Sequence, residues 1–442
     1  MQHSHEALDR PGGIARVGLL VPLRDAEFRK LWIAMCVSLL GDGAFLVAVA
    51  WQVYALSNTP TAMSVIGIAM TVPTILFLLL GGVASDRFDR RVVMIAADVL
   101  RALAGMALAL LALSGALEVW HVAILAAIYG TGTAFFAPAF DALVPDIVPR
   151  ERLAQANALD QLVRPVVFRM AGPALGGMLV AAVGAGAVFA LDSASFLFSA
   201  TTLLLVRVSA KSAPRRARSV VHDLAEGWRF VRGRVWLWAT FASAAVAYLC
   251  FMGPVEVLLP YLVKNDLDGS ARDLGLVFAA GGIGSVACAI AMGQRDIPRR
   301  GITFIYVCWT LATLAVAGYG LSSAMWQLMV AALGFNALET AGTIVWATMK
   351  QRHVPRALLG RVSSLDWLIS IGLLPLSFAV TGPVAGVIGT RATLVGAGVV
   401  GALVTCAAFF VPGMRDIEDR PGAARVDASL RDRTTGVLAD AG

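Results

Sequence analysis

The sequence predicts an all-α integral membrane protein of twelve transmembrane helices, arranged as two six-helix pseudo-repeats. Three observations predict this fold: the composition, a series of long apolar segments, and short motifs that recur between the two halves of the chain. Of the 442 residues, 58% are hydrophobic and only 15% are charged, whereas soluble proteins carry about 25% charge. Such a chain lacks the polar side chains to cover a soluble surface, which argues against soluble enzymes and DNA-binding proteins.

Twelve apolar segments are each long enough to cross the hydrocarbon core of a bilayer, which takes about 20 helical residues. They cover residues 31–56, 61–84, 92–113, 119–140, 162–183, 187–206, 236–262, 273–292, 302–320, 324–348, 364–388 and 392–411. Connectors on one side hold few or no Lys and Arg residues, whereas those on the other side are rich in Arg. Because positively charged loops stay in the cytoplasm, both termini are expected to be cytoplasmic.

The spans divide the chain into five expected regions. These are a cytoplasmic tail (1–30), a first bundle (31–206), a basic cytoplasmic linker (207–235), a second bundle (236–412) and a C-terminal tail expected to be disordered (413–442). The linker holds eight basic residues against two acidic ones, and anionic lipid explains this cluster better than nucleic acid does. Its segment 222–231 is amphipathic enough to lie on the membrane, and a solvated connector explains it equally well.

Four short motifs of the first half recur in the second half. They are Leu31-Trp32, the Asp86–Arg91 loop, Val148-Pro149-Arg150 and Gly172-Pro173-x-x-Gly176, and each recurs 206 or 210 residues later. Four coincidences in nearly one register indicate two six-helix halves in parallel orientation.

The loop after the second span carries the sharpest motif, Gly82-Val-Ala-Ser-Asp86-Arg87-Phe-Asp89-Arg90-Arg91. Gly82 would let two helices approach closely, Asp86 can cap a neighbouring helix, and the arginines can reach acidic groups on another helix end. These residues predict a latch that stabilises one conformation of a transporter. A positively charged loop with a turn is the alternative interpretation.

This loop resembles motif A of the major facilitator superfamily, from which it departs at Asp89, where Gly is usual. Other segments resemble the branch of enterobactin-type siderophore exporters and macrolide and multidrug efflux proteins. They are Phe136-Ala-Pro138, Leu143-Val-Pro145-Asp146, 153–159, 172–177 and 359–362. The resemblance implies a major facilitator fold and a secondary transporter in a bacterial cytoplasmic membrane. The expected partners are a small-molecule substrate, protons and the bilayer, with the chain acting as a monomer.

The segment Gly172-Pro173-x-x-Gly176-Gly177 resembles the end of motif C, which marks antiporters in this superfamily. Phe168 stands where an upstream Gly is expected, so the match is partial. Small residues also permit tight helix packing in lipid, and the two interpretations are compatible.

Ionisable residues within the spans are candidates for proton coupling, because each is costly in lipid unless it faces a cavity or a partner. Glu339 ranks first, since no basic residue precedes Lys350 in its span. Asp42 ranks second, because Arg101 or Arg169 could hold it ionised, and Glu256 ranks third.

The remaining ionisable residues have more ordinary interpretations. Asp98 and Arg101 lie three residues apart and can pair on one helix face. Asp192 and Asp366 are expected to lie at shallower depth or to make helix-end contacts. A break in the helix around Glu256 is expected at its two flanking prolines, Pro254 and Pro260.

In the resembled fold, spans one, four, seven and ten line a central cavity. The candidate cavity residues are Tyr129, Phe135, Arg169, Tyr248 and Asn336. The expected function is proton-coupled efflux of an amphipathic small molecule such as a drug, antibiotic or siderophore. An uptake permease and a lipid flippase are the alternatives on the same fold. The scattered Cys and His residues suggest no metal site or redox pair, and no cofactor or enzymatic activity is expected.

Overall fold

The computed structural model describes residues 21–149, 152–207, 220–294 and 298–419. These residues form α-helices joined by short turns, with a short 3₁₀ helix, Val21–Arg24, before the first helix. The α-helices are α1 (Ala26–Leu56), α2 (Pro60–Arg87), α3 (Arg90–Leu113), α4 (Val119–Ile147), α5 (Leu153–Arg164), α6 (Gly172–Val183), α7 (Ala185–Leu204), α8 (Val220–Arg232), α9 (Val235–Tyr261), α10 (Ala271–Gly293), α11 (Gly301–Leu321), α12 (Met325–His353), α13 (Arg356–Gly372), α14 (Leu374–Ile388), α15 (Thr390–Phe409) and α16 (Asp416–Asp419). π-Helical segments at Pro165–Ala171 and Leu262–Asp266 directly precede α6 and follow α9, respectively.

Within the described residues, twelve stretches of helix are long and apolar enough to cross a membrane, which confirms the predicted number of spans. The fifth span joins a π-helical segment, Pro165–Ala171, to α6, and the eleventh joins most of α13 to α14. Since α1 begins at Ala26, the first helix starts before the predicted span at residue 31.

The contacts between the two halves are related by pseudo-two-fold symmetry. In the first half α6 packs against α10 of the second half, and in the second half α14 packs against α2 of the first half. These two pairs are equivalent, because α6 and α14 belong to the fifth spans of their halves, while α2 and α10 are the second spans. The contacts confirm the pseudo-repeat that the recurring motifs predict.

The two ends of the bundle differ in charge and in packing. We call the end that carries the loop 87–90 the basic end, and the end that carries the connector 57–59 the opposite end. Towards the opposite end, buried residues of both halves form one shared apolar cluster that includes Tyr54, Val257 and Leu274. At the basic end, the buried apolar residues form two separate clusters, one in each half.

Helix α9 is continuous through Pro254 and Pro260, so the predicted break near Glu256 is wrong. The hydroxyl of Ser377 on α14 provides the physical reason, because it accepts a hydrogen bond from the backbone N–H of Gly253 at 2.8 Å. The same hydroxyl donates to the carbonyl oxygen of Leu249 at 2.8 Å. A side chain from a neighbouring helix thus satisfies the backbone groups near the proline, as membrane helices require.

The segments that flank the second half pack against its basic end. Gly227 of α8 contacts Arg361 of α13, which also pairs with Glu226, so this part of the linker lies against protein. After the last span, Met414 is 1% exposed, and the Glu418 carboxylate accepts hydrogen bonds from the backbone N–H and hydroxyl of Thr303 at 2.8 and 2.9 Å. The expected tails 1–30 and 413–442 otherwise lie mostly outside the described residues.

Candidate functional site

Five polar side chains of the first half, four of them buried and one half-buried, meet at the middle of the bundle. They come from four helices: Asp42 on α1, Asp98 and Arg101 on α3, Tyr129 on α4, and Asp192 on α7. We call this group the buried charge cluster. It contains three carboxyl groups and one guanidinium, an imbalance of charge that is costly away from water.

Arg101 and Asp98 form a closed ion pair. Nη2 of Arg101 contacts Oδ1 of Asp98, and their side chains are 4% and 0% exposed. The guanidinium also lies over the rings of Phe136 and Phe196, 4.5 and 4.1 Å from their centroids. Gly132 leaves space for this arrangement, since a Cβ atom there would lie 2.6 Å from Cγ of Arg101. The predicted pair is therefore present, and aromatic faces on two sides hold its cation in place.

Tyr129 connects the two remaining carboxyl groups. Its hydroxyl contacts Oδ1 of Asp42 and lies 3.2 Å from Oδ2 of Asp192. Its ring stacks on Phe45 with the centroids 4.5 Å apart, which fixes the direction of the hydroxyl. Asp42 is 3.9 Å from Nη1 of Arg101, a looser contact than the one that Asp98 makes. The structure thus brings together two of the predicted site residues, Asp42 and Tyr129.

Asp192 is the member of the cluster that sequence reasoning missed. The expectation of a helix-end contact is wrong, because Asp192 is 0% exposed and lies well inside α7. Its Oδ1 atom has no hydrogen-bond partner within the described part of the chain. Gly41 on α1 makes room for it, since a Cβ atom there would lie 2.6 Å from that oxygen. The signal available in the sequence was an acidic residue within an apolar span.

The other acidic candidates belong to the second half. Glu339 is half-buried on α12 and accepts a hydrogen bond from the hydroxyl of Thr343 at 3.1 Å. Glu256 is half-buried on α9. The guanidinium of Arg169, which is exposed, lies within electrostatic range of Glu256 and of Tyr248. Asp366 makes a helix-end contact as expected, because its Oδ2 atom lies 2.5 Å from Nζ of Lys350, near the end of α12.

Two of the residues expected to line the cavity contact neighbouring helices. The ring of Phe135 stacks with that of Phe77 on α2, with centroids 6.4 Å apart. The amide nitrogen of Asn336 donates to the carbonyl oxygen of Ala332 at 2.9 Å, and a Cβ atom on Gly281 of α10 would lie 2.5 Å from it. Both side chains therefore take part in helix packing in this conformation.

The arginines of the loop after the second span bind the ends of two other helices in the first half. Arg90 pairs with the carboxylate of Asp146 and donates to the carbonyl oxygen of Ala142 at 2.9 Å, both at the end of α4. Arg91 donates to the carbonyl oxygen of Val206 at 2.8 Å, just after α7. These contacts are of the kind that the motif predicts, between arginines and the polar groups of another helix end.

Helix α2 makes its close approach through Gly81, and the expectation that Gly82 does so is wrong. A Cβ atom on Gly81 would overlap the carbonyl oxygen of Ala134 on α4, whereas a Cβ atom on Gly82 would meet nothing within 4 Å. The two glycines are adjacent, so they point to different sides of the helix.

The acidic residues of the same loop differ in position. Asp89 caps α3, because its Oδ1 accepts a hydrogen bond from the N–H of Arg91 at 2.9 Å. The side chain of Asp86, for which a capping role is expected, lies outside the described part of the structure. Arg87 is exposed.

The glycine-proline motif of the fifth span packs against two helices at once. A Cβ atom on Gly176 would lie 2.5 Å from Cα of Ala44 on α1, and one on Gly177 would lie 3.0 Å from Cα of Gly275 on α10. Gly172, which precedes Pro173, is equally close to α1. The small residues of this motif therefore allow tight helix packing, as one of its two interpretations predicts, and the contact with α10 joins the two halves.

Comparison with known proteins assigns the chain to a family. A profile of the family described as "Transmembrane secretion effector" matches residues 17–431. The multidrug efflux pump Tap of Mycolicibacterium fortuitum is 27% identical over 395 residues, which cover 86% of this chain and 94% of that protein. Macrolide efflux protein A of Streptococcus pyogenes is 24% identical over 399 residues, covering 88% and 96% respectively. The enterobactin exporter EntS of Shigella boydii is 30% identical over 358 residues, covering 76% and 80%.

Solved structures share the fold at low sequence identity. The bacterial homologue of the human lysosomal transporter Spinster superposes with a TM-score of 0.63 at 16% identity, covering 90% of this chain and 98% of that chain. The nucleoside transporter NupG superposes with a TM-score of 0.64 at 11% identity, covering 87% and 100%. These likenesses confirm the predicted fold.

Proposed function

The chain belongs to the transmembrane secretion effector family of the major facilitator superfamily, and from this premise we propose that it exports an amphipathic small molecule in exchange for protons. The three efflux relatives compared above are named for drugs, macrolides and a siderophore, which supports a substrate of that class. The chemistry is transport by alternating access: the two halves rock about a central site and expose it to one side of the membrane at a time.

The observation that carries this proposal is the unequal packing at the two ends. Towards the opposite end, one shared apolar cluster and the contact between α6 and α10 hold the halves together. At the basic end each half has its own apolar cluster. Interfaces of this kind have discrete alternative packings, which lets one end close as the other opens.

We assign the basic end to the cytoplasm, because arginine-rich short connectors mark the cytoplasmic side. Both termini and the linker 207–235 then lie in the cytoplasm of a bacterium, and the described conformation is open inwards. The chain acts as a monomer in this proposal, since each half supplies one side of the central site. The bundles 31–206 and 236–412 are the two rocking bodies.

Proton coupling is supported by the acidic residues within the spans. The sequence contains no Gly-x-x-x-x-Gly-Lys-[Ser/Thr] segment for binding a nucleotide phosphate, so the proton gradient is the energy source that we propose. Glu339, Asp42 and Glu256 are carboxylates at membrane depth that can change protonation state during the cycle. We expect Arg169 to contact an amphipathic substrate by its charge and Tyr248 by its ring.

A susceptibility panel tests the proposed function. The chain is expressed in a bacterial strain that lacks its main efflux pumps, and growth is measured with macrolides, other antibiotics and siderophores, alongside an empty-vector control. Export predicts increased resistance and decreased accumulation of at least one compound. Increased accumulation would favour the uptake alternative, and movement of fluorescent phospholipid alone in liposomes would favour the flippase.

A further inference from the structure

The buried charge cluster has one more carboxyl group than its contacts can accommodate as ions. Helices α1, α3 and α6 pack against α7; α1 and α3 carry Asp42, Asp98 and Arg101, and α6 carries no ionisable residue. Tyr129 reaches Asp192 from α4. Arg101 forms a close ion pair with Asp98 through Nη2, and its guanidinium lies between two aromatic rings. Arg164 also acts on Asp42 by its charge, but it is paired with Asp160 at 2.9 Å. Among the described residues, Asp42 and Asp192 therefore share one loose ion-pair contact, the 3.9 Å approach of Arg101 to Asp42.

The hydroxyl of Tyr129 has too few hydrogens to donate to both carboxyl groups. A phenol hydroxyl carries one hydrogen and can donate one hydrogen bond. The Tyr129 oxygen contacts Asp42 and is 3.2 Å from Oδ2 of Asp192. Both approaches can be hydrogen bonds only when one of the two carboxyl groups carries a proton and donates to the phenol oxygen.

Exposure distinguishes the two carboxyl groups. The side chain of Asp42 is 17% exposed, whereas Asp192 is 0% exposed. The Oδ1 atom of Asp192 also lacks a hydrogen-bond partner in the described ranges, and it points at the backbone of α1 beside Gly41. A buried carboxylate oxygen without a donor is costly when ionised, and protonation removes most of that cost.

We propose that Asp42 and Asp192 share one exchangeable proton through the hydroxyl of Tyr129, with Asp192 as its storage site. This inference rests on the proton coupling of the proposed function and places the coupling residue in the first half, away from Glu339. A proton that arrives on Asp42 passes to the Tyr129 oxygen while the Tyr129 hydrogen passes to Asp192. The phenol is regenerated neutral, and no other group is consumed.

The pairing gives Asp42 two roles in the exchange cycle. With the proton stored on Asp192, ionised Asp42 is held by Arg101 and by the Tyr129 hydroxyl. When the proton returns to Asp42, that side chain loses its attraction for Arg101, and the negative charge moves to α7. Helices α1 and α7 pack closely against each other, so a shift of charge between them acts on α1. Helix α1 also contacts the fifth span through Gly43 and Ala44.

Infrared difference spectroscopy on the purified, detergent-solubilised chain tests the storage site without any substrate. The wild-type spectrum minus that of Asp192→Asn should contain the C=O stretching band of one protonated carboxyl group at neutral pH. The control variant Glu339→Gln, which changes a half-buried carboxyl group within a span of the other half, should retain that band. Retention of the band in Asp192→Asn, or its loss in Asp42→Asn alone, would overturn the assignment.

Tyr129→Phe gives a second measurement that does not depend on the folding of Asp192→Asn. The variant removes the bridging hydroxyl and leaves both carboxyl groups, so the protonated-carboxyl band should persist while its shift on transfer to heavy water slows. Exchange as fast as in the wild type would overturn the relay. Because neither measurement uses a substrate, failure of all compounds in the susceptibility panel would remove the proposed export and leave the proton site standing.

Discussion

The hydroxyl of Tyr54 on α1 donates a hydrogen bond of 2.6 Å to the backbone carbonyl oxygen of Val257 on α9. Tyr54 is 1% exposed and Val257 is 0% exposed, so this bond between the two halves is shielded from water. Lys264 adds a second link, since its ammonium contacts the carbonyl oxygen of Tyr54 at the end of α1. Together they connect α1 to the segment of the seventh span at the opposite end.

Tyr54→Phe should weaken closure of the opposite end. A buried hydrogen bond contributes about 1 kcal/mol, so its loss shifts the equilibrium between inward- and outward-open states by roughly fivefold towards the outward-open state. Spin labels at Ser57 and Asp268, on the two sides of this end, measure the shift as a larger population of long distances. Tyr261→Phe is the matched control, because its ring packs edge-on against Tyr54 while its hydroxyl makes no hydrogen bond among the described residues. An unchanged distance distribution in Tyr54→Phe would contradict this prediction.

Arg90→Gln should reduce transport strongly and leave equilibrium substrate binding within a few-fold of the wild type. The change removes the ion pair with Asp146 and the bond to Ala142 at the basic end, far from mid-depth. Arg87→Gln is the control, since Arg87 lies in the same loop with its side chain exposed and its replacement should leave transport close to wild type. Efflux rate and substrate binding are measured on the same vesicles. Equal losses of efflux in Arg90→Gln and Arg87→Gln would contradict a specific role for the Arg90 contacts and would indicate that the loop acts only as a positively charged topology signal.

Gly176→Ala should destabilise the protein by about 1–3 kcal/mol, because the added Cβ would lie 2.5 Å from Cα of Ala44. Gly386 occupies the equivalent position of the second half, 210 residues later, and a Cβ atom there would meet nothing within 4 Å. Gly386→Ala should therefore change stability by less than about 0.5 kcal/mol. Thermal unfolding in detergent compares the two variants, and similar melting temperatures would contradict the packing interpretation.

Asp98→Asn should cost about 3–5 kcal/mol of stability, because it leaves the buried guanidinium of Arg101 without its carboxylate. Asp192→Asn should cost much less, since an amide resembles the protonated carboxyl group that we assign there. Both residues are 0% exposed, so the comparison isolates charge from burial. Chemical unfolding in micelles at neutral pH gives the two values, and a larger loss for Asp192→Asn would show that Asp192 is ionised.

Cysteine labelling tests the assignment of the two ends. Probes at Ser57 and Ser323, both in connectors at the opposite end and at least partly exposed, should react with a membrane-impermeant reagent in intact cells. A probe at His353, which is exposed at the basic end of α12, should react only after the cells are permeabilised. Reaction of His353 in intact cells would reverse the orientation.

The sequence predicted the spans and the repeat because both depend on patterns longer than one helix turn. The thickness of the bilayer sets the length of a spanning helix at about 20 apolar residues, and this length does not depend on how the helices pack. The recurring motifs likewise reveal a pairing of halves, which the contacts of α6 with α10 and of α14 with α2 display.

The errors arise where the answer depends on which face of a helix a residue occupies. Adjacent glycines 81 and 82 point to different neighbours, and only the packing of α2 on α4 decides between them. Asp192 looks like a helix-end residue from its position, yet α1 and α3 cover its face of α7 completely. At Pro254 the missing information was a side chain more than a hundred residues away, the hydroxyl of Ser377.

Flux measurements in liposomes test the central claim of proton-driven export most directly. The purified chain is reconstituted with a pH-sensitive dye trapped inside, and the compound that gives the strongest resistance in the susceptibility panel is supplied on the side of the basic end. A proton gradient, more acidic on the far side, should drive the compound to that side against its own gradient while protons move in the opposite direction. Collapse of the pH gradient should stop both fluxes together. Accumulation that continues unchanged after collapse, or protons that travel with the compound, would contradict proton-driven export.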